Sequence, residues 1–87
     1  MTQEELYKLY EEVTTWIDNY ESYHVWYCCR NAHFHPSGTN VWFEVHGHSD
    51  HGSGADWTEG WSIDSDGKIY SEEKQWNSIE DFKTDFV

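Results

Sequence analysis

Apolar residues recur at alternating steps of four and three along the first quarter of the chain: Leu6, Tyr10, Val13, Ile17 and Tyr20. That spacing lines them up as one stripe of an α-helix, and Tyr7, Leu9 and Trp16 widen it. Thr2 followed by Glu5 is the capping-box pattern, in which the hydroxyl accepts the Glu5 amide and the carboxylate reaches back to the Thr2 amide. The other face of this helix carries Glu4, Glu5, Glu11, Glu12, Asp18 and Glu21, with Lys8 as its only base. Like charges at helical spacing repel, so folding alone does not ask for such a face.

From His24 the period changes to two. Residues 25–35 are rich in β-branched and aromatic side chains and predict a strand. Its first half is apolar on both faces, which places it at the centre of a sheet. Pro36, Ser37, Gly38, Thr39 and Asn40 form a turn cluster. Val41, Phe43 and Val45 then alternate with Trp42, Glu44 and His46, giving a second strand and a hairpin. Residues 47–56, dominated by Gly, Ser, His and Asp, predict a mobile loop. Residues 57–64 predict a third strand weakened by Gly60. Asp66-Gly67 signals a tight turn, after which residues 68–72 return as a fourth strand. Ser78 with Asp81 opens a short final helix whose buried edge is Ile79, Phe82 and Phe86. The expected architecture is a single acidic α+β domain over residues 1–87: an N-terminal helix, a four-stranded antiparallel sheet with one face covered by that helix, and a short C-terminal helix.

Composition changes the picture in one respect. Seventeen acidic residues stand against five basic ones, a net charge of −12 on 87 residues. Such a balance commonly marks disorder, but the acids are spread from Glu4 to Asp85, and six Trp, six Tyr and four Phe accompany them. A chain this aromatic is expected to fold, around a thin Trp/Tyr/Phe core and against considerable self-repulsion. Nucleic acid and anionic membranes would repel it, so a basic partner is expected and neither direct nucleic-acid binding nor membrane binding is. Cys28 and Cys29 are adjacent and on a strand point to opposite faces, poorly placed to bridge each other. No disulfide framework, leader or membrane span of roughly 20 apolar residues is apparent, which favours a cytoplasmic location.

Candidate chemistry is sparse. His33 and His35, and His46 and His48 with Asp50 and His51 nearby, have the look of metal ligands, but the hairpin turn at residues 36–40 sets the two pairs at opposite ends of the second strand. A zinc or nickel site on His46, His48 and His51 is the surviving metal alternative. Asp64-Ser65-Asp66-Gly67 resembles the start of a calcium loop without its later ligands and reads as a hairpin turn. No nucleophile elbow or phosphate-binding glycine loop exists, and a single Arg30 with four lysines cannot build a sizeable anion site. Neither catalysis nor a cofactor is expected. Trp16, Trp57 and Trp61 read as core by periodicity. Trp42 lies opposite Val41, Phe43 and Val45, and an exposed Trp among carboxylates suits an interface anchor.

The acidic surface remains. Carboxylates on successive helix turns and at turn tips can imitate the phosphate row of DNA, which presents about one charge per 1.7 Å of axis. In size, charge, helix-plus-small-sheet layout and the acidic helix of residues 4–21, the chain resembles the small acidic phage proteins that inhibit host defence, anti-CRISPR proteins and other DNA mimics among them. The resemblance involves no shared motif and carries over no individual residue. It implies a stoichiometric inhibitor, monomeric or homodimeric, that occupies the basic nucleic-acid-binding cleft of a CRISPR effector or another bacterial nuclease. Glu4, Glu5, Glu11, Glu12, Asp18 and Glu21 are expected to supply one charged face. Asp64, Asp66, Glu72 and Glu73 would supply another around a hairpin tip, with Trp42 as anchor. Two alternatives keep different partners: an immunity protein that neutralises a basic toxin, and a His-based metal-binding module.

Overall fold

The computed structural model describes residues 1–86. Its first helix begins where the capping pattern puts it. Thr2 Oγ1 accepts the Glu5 amide at 3.1 Å, and Glu5 Oε1 accepts the Thr2 amide at 2.8 Å. Helix α1 runs from that cap over Gln3–Asp18. Leu6, Val13 and Ile17 are fully buried on its inner stripe, each worth roughly 1.5–3 kcal/mol of apolar burial. The helix stops at Asp18 with Asn19 as its C-cap, so the predicted stripe loses its last member. Tyr20 lies beyond the helix, where its ring meets Tyr27 at 5.5 Å and Phe86 at 5.4 Å. Glu21 belongs to a strand.

The sheet has six antiparallel strands in chain order, not four, and it curls into a half-barrel. They are β1 (Glu21–Ser22), β2 (Val25–Phe34), β3 (Val41–Ser49), β4 (Ala55–Ile63), β5 (Ile69–Tyr70) and β6 (Gln75–Trp76), followed by helix α2 (Ile79–Asp85). Strands β1 and β6 are two residues long, too short to show a period. The predicted fourth strand over 68–72 shrinks to β5, because Asp64 and Ser71 each draw the chain into a turn. Asp64 Oδ1 accepts the amides of Asp66 and Lys68, and Ser71 Oγ accepts those of Glu73 and Lys74.

Two further expectations are corrected. The loop placed at residues 47–56 contracts to 50–54, since β3 and β4 pair without interruption from Val41↔Ile63 to Ser49↔Ala55. Gly47 is a ladder residue, and the indole of its cross-strand partner Trp57 lies directly over it. Strand β2 is not central; β3 is, between β2 and β4. The two apolar faces of β2 answer to different surroundings. Tyr27 and Cys29 pack toward the core, whereas Trp26 points to the other face and is 44% exposed.

Both helices lie on one face of the sheet. Val41, Phe43 and Val45 of β3, Trp61 and Ile63 of β4, Ile69 of β5, Trp76 of β6 and Phe82 of α2 join the α1 residues in one core. Trp61 stacks on Trp76 at 5.3 Å and meets the edges of Phe82 and Phe86 at 5.9 and 5.8 Å. Ser78 caps α2 by accepting the Asp81 amide at 3.2 Å, and Phe82 is buried as its pattern predicts. Among the described residues no helix covers the opposite face of the sheet, and none is long and apolar enough to cross a membrane.

Candidate partner-binding surface

The solvent side of α1 separates its carboxylates by what they already hold. Glu4 forms an exposed pair with Lys8 at 3.7 Å, and Glu12 pairs with Lys83 of α2 at 2.7 Å. Glu5 is engaged in the N-terminal cap, and the Thr2 backbone amide holds its carboxyl below the usual range. Asp18, at the last helical position, accepts the Cys29 amide at 2.9 Å and ties the helix to β2. Glu11 has no side-chain partner among the described residues. Glu21 is displaced onto β1, where it shares a hollow with Trp16 and Asn19 at the C-terminal end of α1.

The second predicted group is split between two turns. Asp64 and Asp66 lie between β4 and β5, Glu72 and Glu73 between β5 and β6. Asp64 is structural: burial pushes its carboxyl up, but hydrogen bonds from the Lys68 amide, the Tyr70 hydroxyl at 2.8 Å and the Asp66 amide outweigh it and leave the group lowered. Glu72 accepts the Gly60 amide at 2.9 Å. Asp66 and Glu73 are exposed and without side-chain partners among the described residues.

One contact joins the two groups, and it was not visible from sequence spacing. The β4–β5 turn packs on the N-terminal half of α1, so that Asp66 shares a hollow of about 390 Å³ with Glu5, Lys8, Glu12 and Glu80, floored by Met1, Leu9 and Ile79. Glu80 contributes to this rim although it was not among the predicted residues. Its signal was the acidic first turn of α2. The carboxylates of this rim outnumber Lys8, so the hollow attracts cations.

Trp42 is 44% exposed, as its alternation with Val41 and Phe43 predicts. It stands on the uncovered face of the sheet, across the sheet from α1, with His33 at 6.0 Å and Gly60 beneath its indole. The neighbouring Glu44 turns to Asn31 and His46 at 2.7 and 3.0 Å, and the Asn31 and His46 hydrogen bonds lower its carboxyl. Trp16, expected in the core, is 41% exposed instead. Its ring sits under Lys83 at 5.0 Å, so it belongs to the margin of the α1 surface. Trp61 is buried and Trp57 half-buried.

The histidines are dispersed among carboxylates. His24 meets Asp50 at 2.6 Å, His46 meets Glu44 at 3.0 Å and His48 meets Asp56 at 2.8 Å, while His51 lies beside the His24 ring at 5.1 Å. His46, His48 and His51 do not converge, and among the described residues no three His, Cys, Asp or Glu are placed to share a metal ion. Both cysteines are free. Burial and the neighbouring Asp18 push the Cys29 thiol far up, which keeps it protonated and unsuited to nucleophilic attack.

No family model, curated protein or solved structure matches the chain.

Proposed function

We propose that this protein is a stoichiometric inhibitor that occupies the basic nucleic-acid-binding cleft of a bacterial defence nuclease, a CRISPR effector being the leading case, as an acidic mimic of DNA. The observation that carries this reading is the mismatch between charge and its internal use. Of the five bases, Lys8, Lys74 and Lys83 already sit in ion pairs. Glu11, Glu21, Asp66, Glu73, Glu80 and Asp81 have no side-chain partner among the described residues. Folding does not need them, and several gather around α1 and the turn beside it.

The helix by itself is a thin imitation. Its 16 residues span about 24 Å, and its five carboxylates give about one charge per 5 Å, against about one per 1.7 Å of duplex. Asp66 and Glu80 thicken the row at its N-terminal end, which makes that end the stronger part of the mimic. Attraction of this kind speeds encounter and weakens with salt.

The test is competition. Fluorescent duplex DNA bound to each of a panel of CRISPR effectors and other defence nucleases is challenged with the wild-type protein and with a variant carrying Glu11→Gln, Asp66→Asn and Glu80→Gln. The expected result is displacement of DNA from at least one nuclease, weaker in high salt and weaker by about tenfold or more in the variant, roughly 1.4 kcal/mol. Inhibition that survives neutralisation undiminished would refute mimicry.

A further inference from the structure

The two sides of the long β2–β3–β4 ladder are closed differently. On β2, β1 pairs with the first residues, Asp18 takes the Cys29 amide, and the register shifts between Arg30 and His33, where Asn31 sits at φ 57°. A bulge and an occupied amide are devices that spoil an edge for pairing. Strand β4 has fewer of them. It pairs with β3 from Ala55 to Ile63 without a break, yet β5 covers only Ser62 and Ile63 on its other side.

Gly60 donates its N–H outward, to Glu72 Oε2. Ladder residues alternate, so Asp56 and Thr58 also direct their N–H and C=O groups away from β3. Among the described residues nothing pairs with them, and no proline, lysine or bulge interrupts residues 55–59. On the core side of the same edge, Glu59 and Glu73 flank a cavity of about 250 Å³ walled by Trp61, Trp76 and Phe86. Lys74, also at that wall, is already held by Asp85 at 3.0 Å. The buried Trp61 Nε1–H has no acceptor among the described residues.

We propose that the open edge of β4 is a strand-addition site for an extended basic segment of the partner, which pairs with Asp56 and Thr58 and places a lysine or arginine between Glu59 and Glu73. Strand addition draws affinity from main-chain bonds and specificity from alternate side chains. Charge decides the occupant. A second copy would bring the acidic edge of one chain, Asp56 on one face and Glu59 and Glu73 on the other, against the same edge of another strongly acidic chain, whereas a basic strand reverses the sign of that interaction. The proposal rests on the reading of a basic partner given above but not on that partner being a nuclease.

The probe is a short peptide alternating Val and Lys, with a Val/Glu peptide and an N-methylated Val/Lys peptide as comparisons, and the readout is amide exchange on ¹⁵N-labelled protein. The Val/Lys peptide is expected to slow exchange at Asp56 and Thr58 by about tenfold or more, with no such change at Tyr27 on the β2 edge. The other two peptides are expected to protect neither residue. Thr58→Pro deletes an outward N–H without costing a bond to β3 and is expected to abolish the protection. The N-methylated peptide makes the same test should that variant not fold. The proposal is overturned by equal protection from the N-methylated peptide, by binding confined to α1, by absence of binding, or by concentration-dependent protection without peptide, which would assign the edge to a second copy. If Thr58→Pro inhibits a nuclease as the wild type does, the edge proposal falls and charge mimicry stands. If the Glu11/Asp66/Glu80 variant inhibits undiminished, mimicry falls whatever the peptides do.

Discussion

Alanine at Gly47 tests whether a strand residue that reads as loop is held in place by packing. A methyl group there would overlap Cε2 and Cζ2 of the Trp57 indole and lie 2.5 Å from its Nε1, where carbon contacts settle at roughly 3.5–4.0 Å. The indole must therefore move by about 1 Å or more. Its donation to Glu59 at 3.3 Å and its edge contact with Tyr27 at 6.2 Å would be disturbed. Overpacking of this kind costs about 1–3 kcal/mol. Alanine offsets part of that, because glycine in a strand is worse by roughly 0.5–1 kcal/mol. The net expectation is a loss of about 1–2 kcal/mol, which at this chain length lowers Tm by roughly 5–15 °C. Urea unfolding followed by far-UV circular dichroism measures it, in wild type and in a Trp57→Ala background. With the indole gone, Gly47→Ala is expected to change sign and stabilise by about 0.5–1 kcal/mol. Gly60→Ala is a milder companion: its methyl would meet the half-exposed Trp42 ring at 3.3 Å, and a shift of a few tenths of an ångström relieves it. An equal loss for Gly47→Ala in both backgrounds would refute the packing argument and point to the backbone.

Trp61→Phe is expected to cost about 1–3 kcal/mol less than Trp76→Phe in urea unfolding, although the two indoles stack on each other. Trp61 loses a buried N–H that has no acceptor among the described residues, while Trp76 loses its bond to Asp85 at 2.9 Å; the opposite ranking would show that the Trp61 N–H is satisfied. Asp64 has a native pKa below its ordinary 3.8, so its ionised form stabilises the fold above that value, and the contribution disappears as pH falls through the lower native one. Asp64→Asn is accordingly expected to flatten the acid limb of the stability–pH curve below about pH 4, and an unchanged slope would place the acid sensitivity at Glu5, Glu44 and Asp85, which are lowered as well.

What could be read from the chain divides by range. The cap at Thr2, the buried stripe of α1, the 41–46 alternation and the Ser78 cap are all settled by neighbours within about four residues, and each is present in the structure. The end of β3 is different. Gly47, His48 and Ser49 have loop composition, and only Trp57, brought across by the hairpin, explains why glycine stands in a ladder there. The acids pose the same difficulty. In sequence all 17 look alike. In the fold Glu5, Asp18, Asp64 and Glu72 hold backbone amides, Glu4, Glu12 and Asp85 hold lysines, and Glu11, Asp66, Glu73 and Glu80 hold no side chain among the described residues.

That division matters for any electrostatic partner, because a carboxylate bound to an amide keeps its charge but loses its freedom. A partner that meets Asp18 or Glu72 finds a charge already fixed in place, while one that meets Glu11 must order a mobile side chain at about 0.5–1.5 kcal/mol. The fixed acids thus favour association more per charge, and their removal also loosens the fold. Net charge is therefore a poor guide to mutagenesis here. Neutralising Glu11, Asp66 and Glu80 isolates binding, whereas neutralising Asp18 or Glu72 confounds it with the anchoring of α1 and the closure of the β4 edge.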